Sequence, residues 1–109
     1  MNRVYLIGRV TRDLELQHLG TDQRNYVRFT LAVDEYKSAT KESTTNFIDI
    51  VAFGRKAEIL SQHITKGRKL SIEGKIRTGS YLDKNNSKKY VVDIILEDFD
   101  FIDNKPKVI

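Results

Sequence analysis

Apolar and polar residues alternate with a period of two in five separate stretches, and each stretch predicts a strand with one face on a core. In residues 3–10 one phase holds Val4, Leu6, Gly8 and Val10, and in residues 26–34 it holds Val27, Phe29, Leu31 and Val33. Residues 46–53 give Ile48, Ile50 and Ala52; residues 69–77 give Leu70, Ile72, Gly74 and Ile76; residues 90–97 give Val92, Ile94 and Leu96. One segment departs from this pattern. Across 55–64, Ala57, Leu60 and Ile64 recur at helical spacing, with Gly54 placed to cap the start, Lys66 near the carbonyl end and Gly67 suited to a left-handed stop. The polar stretches His18–Asn25, Glu35–Thr45 and Asp83–Lys89 predict loops between antiparallel neighbours.

Three strands, one short helix and two further strands make an all-β chain with a single helix between strands 3 and 4. That order matches a five-stranded OB-fold, a Greek-key barrel whose faces and loops take oligonucleotides. An SH3-like barrel or a helix-capped sandwich would hold the strands, but neither accounts as naturally for a full helix at that point. The pattern assigns 1–103 to the barrel and 104–109, with the single proline Pro106, to a short tail.

Composition narrows the chemistry. A chain of 109 residues, 39% hydrophobic and 31% charged, suits one soluble domain with one core. No apolar run has the length of a membrane span, and Met1–Val4 already reads as strand, not signal peptide, so the expected location is cytoplasmic. Zero cysteines and two histidines (His18 and His63) leave no thiolate metal site and almost no imidazole chemistry, and no metal or cofactor is expected. The six glycines are dispersed and form no phosphate cradle. Net charge is +4, and it is uneven: residues 1–96 hold 17 basic against 11 acidic side chains, while residues 97–109 hold four acids against two lysines. A basic body suits a polyanion.

The phases opposite the core carry the candidate chemistry. On the third strand that face holds Phe47, Asp49, Val51 and Phe53. Tyr36 opens one long loop beside Lys37 and Lys41; Tyr81 stands at the base of the last hairpin with Arg77, Lys84, Lys88 and Lys89. Flat rings interleaved with cations bind single strands, because bases stack without sequence preference while Lys and Arg neutralise phosphates. The plainer reading buries Phe47 and Phe53 under a subunit partner and makes the chain a structural oligomerisation domain. Tyr5, Ile7, Val91 and Ile95 are also outward and apolar, and they predict self-association. For a two-metal nuclease the candidate acids are Asp98 with Asp100, or Asp49 with Asp93, with no positioned base or third ligand beside them.

At these residues the chain resembles the bacterial single-stranded DNA-binding protein family. The resemblance is carried by Asn2–Arg9, Phe29–Val33, Asn46–Glu58, Lys66-Gly67, Ile72–Thr78 and Tyr81, in order across about residues 1–102. It implies an OB-fold subunit, usually a homotetramer, that binds single-stranded DNA in replication, recombination or repair without catalysis, close to the nucleoid. Tyr36, Phe47 and Tyr81 stand where the family commonly has Trp or another aromatic, and Phe53 where it commonly has Phe or Trp. Arg55 and Arg77 match positions that are often basic; Arg3, Lys37, Lys56, Lys84, Lys88 and Lys89 complete the expected phosphate contacts. Three departures stand out. There is no Trp, Asp49 lies between two expected platforms, and the family's usual flexible linker and acidic recruiting tip do not follow residue 103. The last implies a short form, or a piece of a longer chain, without tail-mediated recruitment of replication enzymes. A primosome-type accessory OB protein, normally a dimer, is the alternative within the same class.

Overall fold

The computed structural model describes residues 1–19 and 24–102; Gly20 and the 104–109 tail lie outside them. Five long strands form where alternation predicts them: β1 (Val4–Val10), β3 (Arg24–Lys37), β4 (Glu42–Phe53), β5 (Lys69–Leu82) and β6 (Lys88–Phe101). A short β2 (Gln17–Leu19) lies in part of the stretch expected to be loop, paired to β3 through Gln17–Tyr26 and His18–Asn25. The other two expected loops are shorter than their polarity suggests, because β3–β4 and β5–β6 continue as hydrogen-bonded ribbons to Lys37–Glu42 and Leu82–Lys88. The sheet order is β1-β5-β6-β4-β3-β2, and a β1–β3 pairing at Arg9–Ala32 and Val10–Leu31 closes it into a five-stranded OB-type barrel.

The core takes the predicted phase. Val10, Val27, Phe29, Leu31, Ile50, Ala52, Leu70, Ile72, Ile94 and Leu96 are buried together with Ala57, Leu60 and Ile64 of the helical segment. Closure demands two close backbone approaches. A Cβ on Gly8 would run into the Ala32 carbonyl oxygen, and one on Gly74, beside the β-bulge at Glu73/Gly74, into that of Ile95.

Helix α1 (Gly54–His63) joins β4 to β5 and lays Ala57 and Leu60 on the core. Its N-cap is Phe53, with no side-chain cap, and it stops at Ile64, whose N–H donates to the Leu60 carbonyl. Gly67, expected as the left-handed stop, instead adopts φ +87 in the following turn and donates its N–H to Val10 O at 2.8 Å.

Two core-phase residues do not reach the core. Ile76 and Val92 are 46% and 61% exposed, because here β5 and β6 have run past the end of the β1 ladder at Val4–Gly74.

Candidate nucleic-acid interface

The site grows from one parallel pairing. β4 and β6 meet only at Ile50–Ile94 and Val51–Ile95, and they run in the same direction. The β3–β4 hairpin and the β5–β6 hairpin therefore leave the barrel on the same side and separate beyond that point. They form two arms diverging from a fork.

Side-chain alternation then decides what the arms display. The outward face of β3 and β4 carries the cross-strand pairs Tyr26–Phe53, Arg28–Val51, Thr30–Asp49 and Ala32–Phe47, with Tyr36 opposite Ser43 near the tip. The corresponding face of β5 and β6 carries Lys75–Ile95, Arg77–Asp93, Gly79–Val91 and Tyr81–Lys89. Tyr36 and Phe47 thus share one face of the first arm, Phe53 continues that face of β4 past the fork onto the barrel, and Tyr81 lies on the second arm. Phe47, Tyr36 and Tyr81 are 68%, 65% and 56% exposed, open enough to take a base on the ring. Phe53 is half-buried, its centroid 6.4 Å from that of Tyr26 at a tilt of 39°. Tyr26 was not singled out from sequence, although its place two residues before Arg28 on an outward phase was a readable signal.

At the fork sits a buried charge. Asp93 is 5% exposed and accepts from Arg77 Nε at 3.1 Å and Nη2 at 3.0 Å, and from Arg28 Nη2 at 3.4 Å. Arg28 belongs to β3 and Asp93 to β6, so the arginine crosses β4 to make the contact, directly over its register partner Val51. This is why Val51, expected on an open face, is buried. Both guanidiniums stay about half exposed, and the single carboxylate cannot occupy all their donors. The hydrogen bond and charge of Asp93 raise the Arg77 pKa above its ordinary value, against a smaller opposing effect of burial. Asp93, one of the acids considered as a metal ligand, is committed to cations.

The two arms differ in charge. Residues 34–49 hold Asp34, Glu35, Glu42 and Asp49 against Lys37 and Lys41; residues 77–93 hold Arg77, Lys84, Lys88 and Lys89 against Asp83 and Asp93. On the first arm three acids are met by neutral donors across the ribbon: Thr45 Oγ1 to Asp34 at 2.9 Å, Asn46 Nδ2 to Glu35 at 3.5 Å and Thr30 Oγ1 to Asp49 at 3.3 Å.

The remaining basic candidates scatter. Lys89 lies across from Tyr81 and 3.9 Å from Asp83, and Lys84 is in the tip between them. Lys88 is on the opposite face, its Nζ 5.4 Å from the Tyr90 ring centroid, and Lys37 also lies on the phase opposite Tyr36. Arg55 is exposed in the first turn of α1, whereas the Lys56 ammonium donates to the Glu97 carbonyl. Arg3 is bridged to Glu73 at 3.2 Å.

Nor do the four apolar residues expected at a subunit contact form one patch. Tyr5 and Ile7 are exposed on β1, opposite Glu73 and Ser71 of β5. Val91 is opposite Gly79, six residues further along β5 and thus about 20 Å away. Ile95 is half-buried beside Val51 at the fork.

A closed five-stranded barrel with a helix between its third and fourth long strands and aromatic arms on one side belongs to the oligonucleotide-binding barrels. The model of the Single-strand binding protein family matches residues 1–102, and the chain belongs to that family. It is 44% identical over 104 residues to the Single-stranded DNA-binding protein of Clostridium perfringens, covering 95% of this chain and 67% of the relative. Against Single-stranded DNA-binding protein 1 of Staphylococcus aureus strain Mu50 the identity is 33% over 106 residues, covering 96% and 67%. Single-stranded DNA-binding protein 1 of Clostridium acetobutylicum is 26% identical over 110 residues and is matched along its whole length, as is this chain.

Proposed function

We propose that this chain coats single-stranded DNA during replication, recombination and repair, without catalysis, by stacking bases on Tyr36, Phe47, Phe53 and Tyr81. Arg77, Lys84 and Lys89 neutralise phosphates along the second arm. The observation that carries this reading is the placement of Tyr36, Phe47 and Tyr81 on the outward faces of two arms that leave the barrel together, with Phe53 on the same face of β4 where the first arm joins the barrel. Each stacked base is worth about 1–3 kcal/mol, and each neutralised phosphate adds a log–log salt slope of about −0.7.

The working unit is a homotetramer, and self-association begins at β1. That strand pairs with β5 on one side, but with β3 only at Arg9 and Val10, which leaves the other edge of residues 4–8 without a ladder partner among the described residues, beside exposed Tyr5 and Ile7.

The deciding experiment is titration with oligo-dT, followed by tyrosine fluorescence at two salt concentrations, with a matching duplex as control. Saturable quenching by the single strand alone supports the reading. Equal response to duplex, or none to either, overturns it. Light scattering of the parent and Ile7→Glu tests the assembly: the parent runs at four times the chain mass and the variant below it.

A further inference from the structure

We propose that the hollow beside Tyr26 is a nucleobase pocket, at which the otherwise sequence-tolerant track favours bases bearing an exocyclic amino group over thymine. The inference rests on the single-strand reading above. The hollow measures about 230 Å³ and is lined by Arg12, Asp13, Glu15, Gln17, Tyr26 and Arg28. It stands where the aromatic track of the first arm reaches the barrel: Tyr26 is the cross-strand partner of Phe53 and the ring next to it. On its other side Tyr26 pairs with Gln17 of β2, which puts an amide next to the ring.

The charges of the lining decide the ligand. Two arginines are balanced by two carboxylates, so this is no seat for a phosphate, which would meet the acids as well as the cations. A neutral heterocycle fits better, since it offers a π-face to Tyr26 and both donors and acceptors at its edge. The donors and acceptors on the wall are in part already used. Asp13 Oδ1 accepts the Lys66 N–H at 2.7 Å and Arg28 reaches toward Asp93, whereas Glu15 and Gln17 have no side-chain partner among the described residues. An unpartnered carboxylate accepts from the amino group of cytosine, whereas thymine's one donor, N3–H, lies between two carbonyl oxygens that repel a carboxylate; the Gln17 amide, with both a donor and an acceptor, pairs with either base. Stacking on Tyr26 is indifferent to the base, so Glu15 supplies the discrimination.

The test compares oligo-dC with oligo-dT of equal length at fixed salt, titrated into the full chain and its Glu15→Ala and Tyr26→Leu variants. Glu15 is exposed, so its removal leaves the fold intact, and the melting temperature of each variant checks this. The expected result for Glu15→Ala is a fall of roughly tenfold in the dC-to-dT affinity ratio, the loss of one hydrogen bond to a charged acceptor. For Tyr26→Leu a loss of roughly fivefold or more is expected for both oligomers, from lost stacking. An unchanged ratio, or an equal rise for both oligomers from relief of charge repulsion, overturns the pocket while leaving single-strand binding in place. Failure of the parent to bind either oligomer overturns the single-strand reading, and the pocket with it.

Discussion

Arg77 and Asp93 face one another across β5 and β6 in a two-pronged contact, Nε at 3.1 Å and Nη2 at 3.0 Å. With Arg28 arriving from β3, one nearly buried carboxylate ties together strands from both arms at the point where they part. The raised Arg77 pKa means that its share of stability is complete below the unfolded-state value and is lost only as pH climbs through the still higher folded one. Arg77 therefore stays charged under all conditions in which the barrel is expected to be folded.

Replacing Asp93 by Asn removes a negative charge from the side that carries the aromatic arms, yet it loosens the fork. The expected cost is about 1–2 kcal/mol, kept at the low end of charged hydrogen bonds because both arginines are half exposed. A shift of the urea midpoint at unchanged slope measures it; an unmoved midpoint shows that the bridge holds nothing.

The ring substitutions separate binding from folding. Phe47→Ala and Tyr81→Ala remove exposed rings, so each is expected to weaken oligo-dT binding by about 1–3 kcal/mol at constant thermal stability. Phe53→Ala is expected to lower both, since its ring also packs on Tyr26. Titrations and melting curves on the same preparations distinguish the two patterns.

Salt dependence distinguishes working cations from tied ones. Lys84→Ala and Lys89→Ala are each expected to make the log–log slope shallower by about 0.7. Lys56→Ala is expected to leave the slope alone, because that ammonium is engaged by the Glu97 carbonyl.

Gly74→Ala is expected to destabilise the barrel by about 1–3 kcal/mol or more, because the added methyl meets the Ile95 carbonyl and the Ile94 side chain across the bulge. Gly79→Ala, further out on the same strand, meets only a Val91 methyl at 3.4 Å and is the matched control.

The barrel was legible because alternation is a local signal: Val27, Phe29 and Leu31, or Leu70 and Ile72, declare their face within a few residues. What alternation lacks is any indication of where the opposing layer ends. Ile76 and Val92 keep the core phase but stand in water, since that limit is set by the length of other strands. Val51 shows the converse, an outward residue covered by an arginine two strands removed from its partner carboxylate. The rings of the candidate site could be read because an aromatic on a polar face is conspicuous. Which cations serve them could not, because Lys56 and Arg3 find their partners through tertiary contacts.

Beyond the fork each arm is a ribbon two strands wide, and a lone hairpin of that width is marginal in water. The amide protons of residues 34–47 and 78–91 should therefore exchange long before those of the barrel. A nucleic acid lying across the rings would give each ribbon the second layer it lacks, so occupancy should slow exchange most at the tips. Part of the free energy of gripping a strand would then go into finishing the protein.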